Sequence, residues 1–299
     1  MIVTVLLAAL GVLGLAFTGV LFATARKRGE LRPTLESIGL GAITNFFDTL
    51  GIGSFATTTA WIKLRKLVPD SFIPATLNAG HALPTVAQAW IFIKLVDVDP
   101  GLLATCIAAA VAGAIVGAPI VVRLPVRVVQ GVVGIALLIA AVLYALSNLG
   151  LMPAGGDALA LPAVPFAIAV GAHFVLGALM TFGIGLYAPS LILLSLLGLN
   201  PIAAFPIMMG ACAFLMPVCG MPFVRAPRIN LRVVIGLALG GIPLVLVAAF
   251  LVKSLPLETL RWGVVVVVLY AAVLLLRSAI MAPAAAAQSP GAAQDVERV

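Results

Sequence analysis

Thr49-Leu-Gly-Ile-Gly-Ser-Phe-Ala-Thr-Thr-Thr59 lies in the first half of the chain, and Thr181-Phe-Gly-Ile-Gly-Leu-Tyr-Ala-Pro-Ser190 answers it in the second. A shift of 132 positions aligns them without a gap. Thr49 falls on Thr181, Gly51 on Gly183, Ile52 on Ile184, Gly53 on Gly185 and Ala56 on Ala188. The correspondence continues outward: Pro69 meets Pro201, Pro74 meets Pro206 and Ala79 meets Ala211. Internal repetition of this kind can decide a fold before any local pattern is read.

Composition sets the class. Of 299 residues, 63% are hydrophobic and 9% charged, with a mean hydropathy of +1.26. Soluble domains carry about 25% charged residues, so the chain reads as an all-α polytopic membrane protein whose partner is the lipid bilayer. The net charge of +7 fits basic cytoplasmic loops rather than nucleic-acid binding. Met1–Thr24 is apolar without a basic start, and Arg26-Lys27-Arg28 follows it. These flanks are the reverse of a signal peptide's, so the segment reads as a true span. Cys106, Cys212 and Cys219 lie in apolar segments without metal-ligand spacing and imply no disulfide framework.

A span needs about 20 apolar residues. Five such segments run near 2–24, 100–122, 126–148, 230–252 and 257–279. The regions 36–96 and 163–224 each hold one repeat copy. Each accommodates two spans, or a re-entrant hairpin of half-helices followed by one span. Nine spans leave 10 basic residues inside and 7 outside; seven spans with two hairpins leave 14 inside and only Lys94, Lys253 and Arg261 outside. The positive-inside rule favours the second arrangement. Its halves then have opposite orientation, as inverted repeats. The expected organisation is an N-terminal helix and basic loop over 1–35, a first repeat over 36–148, an external linker over 149–162, a second repeat over 163–280 and a disordered cytoplasmic tail over 281–299. The N-terminus lies outside. The alternative has nine spans with two broken helices.

Gly-interrupted apolar segments at matching places in two halves are the sequence pointer to a transporter's binding site. Gly51, Gly53, Gly183 and Gly185 sit where each hairpin reverses, and glycine allows the positive φ of a sharp turn. The second half-helices should begin near Ser54 and Leu186. Their free N–H groups and dipole ends, aimed at one midplane point, would make an anion site without a buried Lys or Arg. The other reading is close helix packing by small residues. Polar side chains are few: Asn45 and Asp48 before the first turn, Ser54, Thr57, Thr58 and Thr59 after it, and Asn78, His81, Thr85 and Gln88 on one face of the next span. The second half offers Thr181, Tyr187 and Ser190, with an apolar counterpart to that face, so the site should be asymmetric. Intramembrane ionisable residues are functional candidates. Asp48 and His81 are therefore the candidates for proton coupling, against an Asp48 that merely caps the turn and a His81 that is a satisfied core residue. His173, near the start of its segment, is expected at the interface. Met208, Met209, Met216 and Cys212 read as packing. No catalytic constellation, Walker loop or zinc spacing is present, so an enzyme is not expected and no cofactor is implied.

These residues resemble the sulfite exporter TauE/SafE family of bacterial anion permeases, also called the toluene-sulfonate uptake permease group. Gly51-Ile-Gly53 and Gly183-Ile-Gly185 look like that family's two glycine-rich turns, and Pro189 matches its proline after the second; Ser54 and Leu186 replace the third glycine and Thr57 the first copy's proline. The resemblance spans about residues 36–280. It implies an inner-membrane secondary transporter, an exporter, for sulfite or an organosulfonate such as sulfoacetate. Asn45, Gly51, Gly53, Ser54, Thr57, Thr58, Asn78, Gly183, Gly185, Tyr187 and Ser190 would bind the anion. The rival readings are an anion channel and a cation-coupled transporter using Asp48. A homodimer is compatible with the sequence.

Overall fold

The computed structural model describes residues 1–51, 53–121, 156–181, 183–254 and 257–281, with scattered positions between 131 and 151. Part of the expected 126–148 span, part of the 149–162 linker and the tail beyond 281 lie outside the described residues. The described residues are helical, with one isolated bridge between Ala158 and Leu199.

Helix α1 covers Ile2–Arg28 and stops at Gly29, whose φ of 66° lets its N–H and that of Glu30 close back on the last turn. Helix α2 (Leu35–Thr49) starts at Thr34, whose hydroxyl accepts the Ser37 N–H. After a turn comes α3 (Ser54–Arg65). A short 3₁₀ turn, Asp70–Phe72, leads to α4 (Ile73–Gly80) and α5 (Ala82–Leu95). Helix α6 is Pro100–Val121. The second half contains α7 (Ala163–Met180), α8 (Tyr187–Leu196), α9 (Pro201–Arg225), α10 (Leu231–Ser254) and α11 (Leu257–Met281).

Among the described residues four helices are long and apolar enough to cross a membrane: α1, α7, α9 and Leu231–Leu251 of α10. The protein is a membrane protein on that ground. At 1.5 Å per residue, α2, α3 and α8 reach only about 22, 18 and 15 Å, short of a bilayer core of about 30 Å. They end at turns inside the molecule, as half-helices do. The second hairpin is lopsided, since its first arm, α7, has 18 residues where α2 has 15.

The expected single span after the first hairpin is instead broken at His81, between α4 and α5. The cause is Pro84, which has no N–H to give to the Gly80 carbonyl four residues back. His81 N–H still bonds the Leu77 carbonyl, and Thr85 N–H bonds that of His81.

Helix α9 is the centre of the bundle. Of its most apolar stretch 78% is buried, against 22% in α1, which leaves α1 at the lipid-facing periphery. Helix α9 packs against α4, α5 and α6, while α2 runs along α10 and α6 along α7. Glycines make the last two seams. A side chain at Gly41 would strike the Leu237 backbone, one at Gly240 the Ile38 carbonyl, one at Gly113 the Phe174 carbonyl and one at Gly177 the Ala110 carbonyl. Association in lipid depends on such close backbone approach.

Candidate functional site

Both glycine turns lie in the interior and face each other. Each is closed by the same bond three residues back: Gly51 N–H to the Asp48 carbonyl at 2.9 Å, and Gly183 N–H to that of Met180 at 3.0 Å. Gly51, Gly53 and Gly183 have φ of 92°, 84° and 86°. Gly185 does not take a left-handed φ, which departs from the expectation that all four glycines serve the reversal. A Cβ there would meet Phe55 Cβ at 3.7 Å, an ordinary contact. Gly53 stands in the same relation to Tyr187, at 4.0 Å. Since 53 corresponds to 185 and 55 to 187, the two tips touch reciprocally.

Helix α3 begins at Ser54 and α8 at Tyr187, as expected to within a residue. Their N-termini are not equivalent. The Ser54 N–H is taken by Asp48 Oδ1 at 2.5 Å, so Asp48 does cap the turn. Its counterpart in the second half is Met180, and the α8 N-terminus has no side-chain cap.

Around Asp48 the first-half polar residues form one network. Gln88 Nε2 donates to Asp48 Oδ2 and to Thr49 Oγ1, both at 2.9 Å. Tyr187, from the second half, donates its hydroxyl to Gln88 Oε1 at 2.5 Å. His81 is held at both ring nitrogens: Nδ1 lies 3.0 Å from Asn45 Oδ1 and Nε2 3.0 Å from Thr58 Oγ1. Asn45 Nδ2 donates to the Gly41 carbonyl at 2.8 Å, leaving Oδ1 to accept, so Nδ1 carries the hydrogen, and in a neutral ring Nε2 then accepts from Thr58. Both ring nitrogens thus have a partner.

Other expected site residues are placed differently. Thr57 and Thr181 bond back to their own backbones, at Ser54 and Ala178. Asn78 is buried and donates to the Pro74 carbonyl at 2.9 Å, while its Oδ1 lacks a partner. His173, expected at the interface, is fully buried. Its Nδ1 gives a hydrogen to the Ala169 carbonyl at 2.8 Å, and its Nε2 lies 3.0 Å from Ser190 Oγ. The expectation failed because α7 runs from Ala163 to Met180, which puts His173 past the helix middle and beside Ser190 of α8. Thr58 and Ser190 occupy equivalent places, and each is bonded to a buried histidine, but the histidines come from non-equivalent helices.

Two cavities adjoin the tips. The larger, about 150 Å³, is walled by Gly53, Thr59, Gly183, Gly185 and Tyr187, with exposed Lys63 as its charged residue. The smaller, about 10 Å³, is bounded by Asp48, Ser54, Thr85 and Tyr187, with Met180 and Met216. Both share Gly53, Phe55, Gly185 and Tyr187 as walls. Asn45, Thr57, Thr58, Asn78 and Ser190 line neither and stand behind the tips as support. Thr59 and Lys63 join the wall of the larger cavity and Thr85 that of the smaller, while Gln88 bonds Asp48; Thr59, Thr85 and Gln88 were among the polar residues of the sequence, but Lys63 carried no signal beyond its charge.

Comparison of the chain with protein-family models, curated proteins and solved structures finds no match.

Proposed function

We propose that the protein is a secondary transporter of a small sulfur-containing anion, sulfite or an organosulfonate such as sulfoacetate. The 150 Å³ cavity between the two glycine tips carries this reading. It has the room for a small oxyanion, one cationic side chain on its wall and the uncapped N-terminus of α8 beside it, where backbone N–H groups favour negative charge. The choice of sulfur anion, and of export, rests on the motif resemblance to the sulfite exporter TauE/SafE family.

The halves are read as inverted repeats. In support, α2 against α10 exchanges with α7 against α6 under the repeat register, and the Gly53–Tyr187 approach exchanges with Gly185–Phe55. Such a pair suits alternating access, in which one repeat rocks against the other around a site at the tips. The chain would lie in a bacterial inner membrane, with its N-terminus outside and its C-terminus in the cytoplasm.

The test is counterflow in proteoliposomes loaded with sulfite, sulfoacetate, sulfate or chloride. Saturable exchange of a sulfur anion, lost in Gly183→Leu, is the expected outcome. Unsaturable conductive flux would make the protein a channel, and absence of flux for every sulfur anion would overturn the substrate class.

A further inference from the structure

Asp48 is buried, and the hydrogen bonds to its carboxylate come from neutral groups: the Ser54 N–H at 2.5 Å and the Gln88 amide at 2.9 Å. The titratable groups facing it from other helices are Tyr187 of α8 and Cys212 of α9, neither of which gains positive charge. Among the described residues the ion pair is Arg65–Glu36, at the surface. An isolated carboxylate in such an interior requires a proton or a cation.

The hydrogen-bond network suits the cation. Thr49 gives its hydrogen to the Asn45 carbonyl at 2.8 Å, so its oxygen accepts at the 2.9 Å contact with Gln88. Gln88 must present its NH₂ to Thr49, and the same NH₂ donates to Asp48 Oδ2. Its Oε1 accepts from Tyr187. Turning the amide over would set acceptor against acceptor at Thr49. Both carboxylate oxygens therefore receive hydrogens from donors that are locked in place, an arrangement an ionised carboxylate satisfies at both oxygens.

Beside that carboxylate lies the cavity of about 10 Å³, room for one water-sized group. Its oxygen-bearing walls are Asp48, Ser54, Thr85 and Tyr187. The hydrogen of Tyr187 is committed to Gln88, so its lone pairs are available to a ligand. Hard oxygens with a single negative charge suit a hard monovalent cation, whereas calcium takes 6–8 oxygens and usually several carboxylates. We infer that this cavity is a sodium site, with Asp48 supplying the charge and Ser54, Thr85 and Tyr187 the neutral oxygens. The ion joins α2, α3 and α5 of the first half to α8 of the second, and shares walls with the larger cavity. This deepens the transporter reading: a cation there favours an anion next to it, and each promotes binding of the other.

The test is binding of radioactive sodium to purified full-length protein in choline buffer, with no sulfur anion present. Saturable binding displaced by sodium and not by potassium is expected. Asp48→Asn should weaken it by about 10- to 100-fold, the scale on which metal sites respond to lost partners. Thr85→Val, which keeps the side-chain shape, should also weaken it and covers the case in which Asp48→Asn does not fold. Glu36→Gln, a surface carboxylate, should bind as the wild type does. Absence of saturable sodium binding in folded protein, or undiminished binding in Asp48→Asn and Thr85→Val, overturns the site. Anion flux indifferent to sodium would sink this inference and leave the transporter reading standing; sodium binding without flux of any sulfur anion would do the reverse.

Discussion

Tyr187 of the second half donates its hydroxyl hydrogen to Gln88 Oε1 of the first, 2.5 Å away, and Gln88 in turn holds Asp48. One phenol thus links the tip of one hairpin to the carboxylate that caps the other. In an alternating-access cycle this bond must follow or break as the halves move.

Tyr187→Phe removes that bond and keeps the ring. Interhelical hydrogen bonds in membranes contribute about 0.6 kcal/mol on average and up to about 1.7, so the loss of stability should be small. Transport should fall far more than stability does. Melting in detergent together with counterflow checks this, and an equal, modest decline in both would remove the linking role.

Thr58–His81 and Ser190–His173 are both buried hydroxyl–imidazole pairs at 3.0 Å. A double-mutant cycle with Thr58→Val and His81→Phe, and another with Ser190→Ala and His173→Phe, should each show coupling of about 0.5 to 2 kcal/mol. Reversible unfolding in mixed micelles measures it. Additive effects in either pair would show that the bond is not formed.

Gly113→Ala and Gly177→Ala should both destabilise severely, by about 3 kcal/mol or more, because the new methyl group meets backbone across the α6–α7 seam. Gly171→Ala, on the same α7 but with nothing within 4 Å, should be neutral or slightly stabilising, since alanine favours a helix by up to about 1 kcal/mol over glycine. Comparing folded yields and melting points tests the contrast, and equal behaviour would place the seam elsewhere.

The turn glycines should separate as well. Gly53→Ala forces a side chain into a φ of 84°, at about 1–2 kcal/mol. Gly185→Ala carries no such strain and meets only an ordinary contact with Phe55 at 3.7 Å. Its protein should fold normally and transport less well, because the methyl group narrows the cavity wall. A melting point lowered as much as in Gly53→Ala would contradict the assigned conformation.

Lys63 is the charged residue on the larger cavity's wall. Lys63→Gln should raise the anion KM by about 3- to 10-fold, leave maximal flux near wild type and flatten the dependence on salt, as loss of a rim charge does. An unchanged KM would separate the anion from this cavity.

Much of this arrangement was legible before any packing was known. The repeat set Ser54 against Leu186 and located both helix starts to within a residue. It also showed that Asp48, His81 and Gln88 have only Met180, Ala213 and Gly220 as counterparts, which is the asymmetry found. The break at His81 had its signal in Pro84. The burial of His173 had none, because nearness to a segment end does not show which helix covers it. Nor did GxG distinguish Gly185 from Gly53, for glycine permits a positive φ without requiring one.

By itself, then, the sequence determined a helical membrane chain, two glycine turns in matched positions and a first half that holds most of the buried polarity. Those are properties of composition, spacing and local backbone freedom, carried by neighbouring residues. Tertiary structure alone decided that Tyr187 bonds Gln88, that Asp48 caps α3 with no cation among its partners, and that Thr58 and Ser190 find histidines from different helices. Each of these joins residues that only helix packing brings within hydrogen-bond reach, and inside a membrane protein a polar group settles on whichever partner that packing supplies.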